Sequence, residues 1–111
     1  MSKVISKDGT TIAYDVSGSG PALILVDGAM CYRQFGPMGK LSELLSPHFT
    51  VYKYDRRGRG ESSNGNPLTH EREIEDIDAL INTAGGSANL FGTSSGAALV
   101  LEAAASLGSK I

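Results

Sequence analysis

Ala88-Asn89-Leu90-Phe91-Gly92-Thr93-Ser94-Ser95-Gly96-Ala97-Ala98-Leu99-Val100-Leu101 decides how the chain folds: a short apolar run stops at a glycine, a serine follows two residues later, and an alanine-rich segment begins. The centre of it is Gly92-x-Ser94-x-Gly96. A serine at the tip of a sharp strand-to-helix turn takes a strained backbone conformation that only small neighbours tolerate. Gly92 and Gly96 supply that room. Residues 95–105 have high helix propensity and small side chains, which let a helix approach a sheet closely. The free N–H groups of its first turn, with the helix dipole, favour negative charge where a carbonyl oxygen sits during acyl transfer. Ser94 is therefore the candidate nucleophile. Glycine and serine are common in ordinary turns, so the reading rests on the strand before and the helix after.

Working back toward the N-terminus, Val4-Ile5 and Thr11-Ile12-Ala13-Tyr14-Asp15-Val16 flank Asp8-Gly9, the signature of a hairpin. Gly18-Ser19-Gly20-Pro21 breaks the chain before Ala22-Leu23-Ile24-Leu25-Val26, a continuous apolar run of the kind buried on both faces of a parallel sheet. It ends at Asp27-Gly28-Ala29, on the carboxyl rim where open α/β sheets bind ligands. Pro37 opens a short crossover helix whose apolar positions are Met38, Leu41, Leu44 and Leu45, and Pro47 stops it. Phe49-Thr50-Val51-Tyr52-Lys53-Tyr54 is the next strand. A polar, glycine-rich loop over residues 55–67 follows on the same rim.

That loop carries Arg56, Arg57 and Arg59 close to Lys53, yet it lacks both the P-loop lysine pattern and the third glycine of a dinucleotide fingerprint. Asp55 and Arg57 are expected to brace it through hydrogen bonds to each other and to backbone. Ile74, Ile77, Leu80 and Ile81 mark a further helix, with Thr69 as its cap and Gly85-Gly86 at its end. Glu71, Glu73, Glu75, Asp76 and Asp78 read as its solvated face and as dipole partners, with no metal-site spacing. The order is hairpin, strand, helix, strand, helix, strand, helix. This is an α/β fold: one domain over residues 1–111, a mostly parallel sheet with an N-terminal antiparallel hairpin and flanking helices.

Composition limits the function classes. The 111 residues are 41% hydrophobic and 20% charged, with a net charge of -2, so the chain is globular and has no electrostatic footprint for nucleic acid or an anionic membrane. No apolar run approaches a membrane span and Met1-Ser2-Lys3-Val4 lacks a signal-peptide core, which makes the cytoplasm the expected compartment. The single cysteine, Cys31, forms neither an internal disulfide nor a cysteine-rich metal site, and reads as a small, part-buried residue. No cofactor or metal is expected.

Three pieces together resemble the α/β-hydrolase superfamily: Asp27-Gly28-Ala29, the loop Asp55-Arg56-Arg57-Gly58-Arg59-Gly60-Glu61-Ser62, which is similar to the family's D-x-R-G-x-G-x-S pattern, and the Gly92 to Gly96 elbow. Their order and spacing resemble the N-terminal half of the family's domain across essentially the whole chain. The resemblance implies Ser94 as nucleophile, with an oxyanion hole from the backbone N–H groups of Ala29 and Ser95. It implies no cofactor, and a small-molecule acyl substrate. Two departures matter. Asp27 stands where such proteins often carry histidine, which places a carboxylate beside the presumed oxyanion loop. The family also places its acid and then its histidine after the serine, whereas the residues from Ser95 to Ile111 contain neither histidine nor aspartate. The expectation is an incomplete hydrolase fold, little active alone.

The two upstream histidines are poor substitutes. His70 starts a helix at the catalytic rim, and a lone helix-start histidine is ordinarily a surface residue; His48 precedes a strand and so lies at the opposite end of the sheet. The function expected is a carboxylesterase-like serine hydrolase completed by a complementary C-terminal segment. The alternatives are a non-catalytic truncated or association module, self-associating through an open sheet edge, and a cofactor-free haloperoxidase-type relative.

Overall fold

The structure, a computed structural model, describes residues 2–28, 38–57, 62, 70–93 and 95–111. Ala29, Cys31, Pro37, Thr69, Ser94 and residues 58–61 of the rim loop lie outside the described residues. Among the described residues five strands form one sheet: β1 (Ser2–Ile5), β2 (Thr11–Gly18), β3 (Ala22–Val26), β4 (Thr50–Tyr54) and β5 (Asn89–Gly92). Their spatial order is β1-β2-β4-β3-β5. β1 pairs antiparallel with β2, and β2 antiparallel with β4, while β3 runs parallel to β4 on one side and to β5 on the other. The sheet is thus mixed: an antiparallel hairpin laid on a parallel half, as the sequence predicts. β5 begins one residue later than the apolar run that marks it.

Among the described residues three helices cover the sheet: α1 (Met38–Leu45), α2 (His70–Thr83) and α3 (Ser95–Leu107), the last followed by a 3-10 turn at Gly108–Lys110. The alternation of side chains along a strand explains why β3 is apolar throughout. Leu23 and Leu25 point to one face and pack with Val51 of β4 and Met38 of α1. Ile24 and Val26 point to the other, where Ile77, Leu80 and Ile81 of α2 and Leu99 and Ala103 of α3 complete the larger core. Tyr14 and Tyr52 join that layer with ring centroids 6.0 Å apart. Burying each of these aliphatic side chains stabilises by about 1.5–3 kcal/mol.

The α1 stripe differs from the sequence expectation at one position. Met38 is buried and Leu41 and Leu45 are partly buried against the core, but Leu44 is 62% exposed and Ser42 takes a buried place. On a helix, position 44 lies about 120° around from position 38, whereas 41, 42 and 45 fall within about 60° of it. Leu44 is simply off the stripe. Among the described residues, no helix is long and apolar enough to cross a membrane.

Candidate active site

The elbow is built at the carboxyl ends of β3 and β5. Val26 is paired with Gly92, and immediately beyond them the Thr93 N–H donates to the Val26 carbonyl at 3.2 Å. The Gly96 N–H then donates to the Thr93 carbonyl at 2.8 Å, a tight link between the end of β5 and the start of α3. Both glycines are sterically required. A Cβ on Gly92 would meet the Gly96 carbonyl carbon at 2.6 Å and the Ala97 nitrogen at 2.7 Å; one on Gly96 would meet the Asp27 carbonyl oxygen at 2.6 Å. These obstacles are backbone atoms, so no rotamer change relieves them. Gly96→Ala is expected to destabilise the protein by about 1–3 kcal/mol, as overpacking does. A thermal melt unchanged by Gly96→Ala would contradict this packing.

Asp27 follows β3, is 2% exposed, and accepts the Gly28 N–H at 2.9 Å through Oδ1. Beside it Arg56, 4% exposed, leaves the end of β4 and crosses under the rim. Its Nε and Nη2 donate to the two carboxylate oxygens of Glu73 at 2.7 and 2.8 Å. Its Nη1 donates to the Asp27 carbonyl and to the Ser95 hydroxyl, each at 3.0 Å. Burial works against the guanidinium charge, but the hydrogen bonds and charge of Glu73, with Tyr54 and Asp27 adding to them, raise the pKa above its usual value. Arg56 stays charged.

Arg57 turns the other way. Its Nε and Nη2 donate to Asp76 at 2.8 and 2.6 Å, and its Nη1 donates to Asp8, in the hairpin turn, at 2.9 Å. The Asp76 hydrogen bonds outweigh burial and, with Asp8, raise the Arg57 pKa. Ser62 closes the start of the rim loop: its hydroxyl donates to the Asp55 carbonyl and accepts the Ala13 N–H at 2.9 Å. Arg57 thus braces the loop through carboxylates distant in sequence and, as expected, through backbone, its Nη2 donating to the Arg72 carbonyl at 3.3 Å, while the Asp55 carbonyl receives the Ser62 hydroxyl.

Glu73 and Asp76 correct the sequence reading. They were expected on the solvated face of α2 but are 6% and 1% exposed, each held by an arginine. A signal for this is present in the sequence. Positions 73, 76, 77 and 80 recur at spacings of three and four, so both carboxylates share the stripe of Ile77 and Leu80.

Acid should probe the Asp8 contact. Hydrogen bonds from Arg57 and then from Thr10 hold the Asp8 carboxyl well below the usual carboxylate range. A carboxyl whose folded pKa is depressed adds stability that is full above its unfolded pKa and is lost as pH falls toward the folded one. Asp76, pushed up by burial against the pull of Arg57, works in the opposite sense. The comparison must therefore isolate Asp8. The difference in urea midpoint between the protein and Asp8→Asn is expected to be full near neutral pH and to shrink below 3.8, the unperturbed value. A difference independent of pH would refute the assignment.

Of the residues proposed from sequence, Gly96 packs on the Val26-Asp27 backbone, Gly92 pairs with Val26 and packs on Gly96, and Ser95 is linked to the Asp27 carbonyl through Arg56. Ser94 and Ala29 lie outside the described residues. Arg56 is the site-facing residue that sequence reasoning missed.

Comparison with known proteins agrees with this architecture. Residues 10–111 match the alpha/beta hydrolase family. The chain is 36% identical over 101 residues to the uncharacterized hydrolase YraK of Bacillus subtilis, covering 85% of this chain and 35% of that protein. It is similar to an alpha/beta hydrolase from Sphaerobacter thermophilus of known structure, with 55% identity and a TM-score of 0.90 over 99% of this chain and 42% of that one. The esterase RhEst1 from Rhodococcus sp. gives 26% identity and a TM-score of 0.86, over 98% of this chain and 42% of that one. The chain therefore spans less than half the length of each of these relatives. Since the match begins at Thr10 in the hairpin turn and runs through the elbow to Ile111, the chain belongs to the alpha/beta hydrolase family.

Proposed function

We propose that this chain carries the nucleophile half of a carboxylesterase-like serine hydrolase acting on small acyl esters. Ser94 is the nucleophile, and the backbone N–H groups of Ala29 and Ser95 are the oxyanion donors. The observation that carries the reading is the packing of the two elbow glycines: neither Gly92 nor Gly96 has room for a Cβ, and the Thr93 and Gly96 N–H groups donate to the Val26 and Thr93 carbonyls between β5 and α3. We take the Ser94 hydroxyl to act at the carboxyl rim, with the first turn of α3 next in the chain. The N–H groups there face developing negative charge, worth about 2.7–4 kcal/mol per donor in sites of this type.

Proton transfer needs a base. Residues 95–111 contain no histidine or aspartate, so we place the general base and its orienting acid beyond these 111 residues, in a complementary segment. The catalytic cycle then follows from ordinary acyl transfer. The base takes the Ser94 proton as Oγ attacks the ester carbonyl; the tetrahedral oxyanion is held by the Ala29 and Ser95 amides; the alcohol leaves with the proton; water repeats the sequence on the acyl-enzyme. A series of p-nitrophenyl esters of graded acyl length, assayed on the protein with its complementary segment present, tests this. Saturable turnover that vanishes in Ser94→Ala supports it, and no turnover of any member contradicts it.

A second reading is favoured by one feature. Among the described residues β5 pairs with β3 alone, and Phe91 and Ile111 are 42% and 40% exposed. An edge of this kind is a template for strand pairing, so the same chain could serve as an association module. Light scattering separates the two: concentration-dependent assembly without esterase activity favours association.

A further inference from the structure

Nothing in an acyl-transfer scheme requires a buried arginine under the rim, yet Arg56 is there. Three segments distant in sequence meet on its guanidinium. The fork of Nε and Nη2 is clamped by Glu73 on α2 at 2.7 and 2.8 Å, which fixes the plane of the group. The remaining donor, Nη1, reaches the Asp27 carbonyl at the end of β3 and the Ser95 hydroxyl at the start of α3, both at 3.0 Å. A single nitrogen thus spans the gap between the chain leading to Ala29 and the first residue of the elbow helix.

We propose that Arg56 is a positioning residue of the acyl-transfer site, setting the separation of the two backbone segments that bear the oxyanion donors, with Glu73 holding it in place. This rests on the reading of Ser94, Ala29 and Ser95 given above. The physical reason is geometric. Oxyanion donors act only when both lie about 2.7–3.1 Å from one point, so a few tenths of an ångström between the segments matters to the transition state and little to ground-state binding. The arginine also sets a positive charge beside the buried Asp27, the carboxylate that would otherwise oppose an oxyanion. Lysine cannot replace it, since an ammonium lacks the planar fork that binds Glu73 while leaving a third donor free.

The test uses the whole protein, with kcat and KM measured on a p-nitrophenyl ester and the labelling rate measured with a fluorophosphonate. Arg56→Gln and Arg56→Lys are expected to lower kcat about 10- to 100-fold, the range a small misplacement produces, with KM within about threefold. Ser95→Ala keeps the backbone N–H, removes one acceptor of Nη1 on an exposed residue, and is expected to lower kcat about 3- to 10-fold, on the same geometric ground. Combined with Arg56→Gln it should add little further, because both changes cut one link. Asp8→Asn serves as the structural control, lowering the melting temperature while leaving kcat per folded molecule unchanged. If Arg56→Gln does not fold, Ser95→Ala alone decides. Unchanged kcat in Ser95→Ala, or losses in Arg56→Gln that appear only in KM or only in the folded fraction, would overturn the proposal while Ser94→Ala still abolishes labelling. Labelling that persists in Ser94→Ala overturns the acyl-transfer reading itself, and the positioning role with it.

Discussion

Replacing Ser94 with alanine is expected to lower kcat/KM for ester hydrolysis by about 10⁶-fold, to the residual rate that an oxyanion hole and binding sustain without a nucleophile. The size of the effect follows from the kind of group removed. Alanine keeps the bend, because the glycines on either side provide the room and the Thr93 and Gly96 hydrogen bonds are made by backbone atoms. It removes only the atom that forms the acyl bond. Stability should therefore be nearly unchanged, which separates this variant from Gly92→Ala or Gly96→Ala, whose losses come from packing. A decrease smaller than about tenfold, measured against a folded control, would mean that hydrolysis proceeds through another group.

The second large effect concerns folding. Arg57→Leu is expected to destabilise the protein by about 3–5 kcal/mol, because it strands the Asp76 carboxylate in the interior. Asp76 is 1% exposed and receives two hydrogen bonds from Arg57. A single domain has only about 5–15 kcal/mol in total, so most of this variant should be unfolded or lost in expression. Removing both charges in Arg57→Met with Asp76→Leu should recover much of the loss, since replacing a buried ion pair by apolar groups is often neutral or better. Urea denaturation measures both. A loss below about 1 kcal/mol in the single variant would place Arg57 among ordinary surface pairs instead.

How much of this was legible in the residues differs from element to element. The run from Ala22 to Val26 announced a strand covered on both faces, and its alternate side chains divide between the α1 layer and the α2/α3 layer. The elbow was equally plain, because Gly92 and Gly96 report a steric need that the Val26, Asp27 and Gly96 backbone atoms make concrete. The rim network was not. A local reading assigns acidic residues near a helix start to solvent and the dipole, and nothing within α2 says that Arg56 and Arg57 arrive from β4. That pairing links positions 17 and 19 residues apart across a crossover, so it is tertiary information. Leu44 failed for a smaller reason: counting leucines at roughly helical intervals overlooks an offset of one residue, which moves a side chain by about 100°.

The Asp27 carboxylate illustrates how the two levels combine. From sequence it is a threat to the oxyanion site. In the fold it is buried next to a charged arginine and caps its own neighbour's N–H, so the field at the rim is that of a group of charges held together. Arg56 thus ties together β3, β4, α2 and α3 at the carboxyl rim.

The most direct test of the central claim is the site of covalent capture. The whole protein is incubated with a fluorophosphonate, digested, and the adduct located by mass spectrometry. Attack by a nucleophilic serine expels fluoride and leaves a phosphonyl ester on Oγ, so the account expects one adduct, on Ser94, and none in Ser94→Ala. An adduct on Ser95 or another residue, or one retained in full by Ser94→Ala, would contradict it.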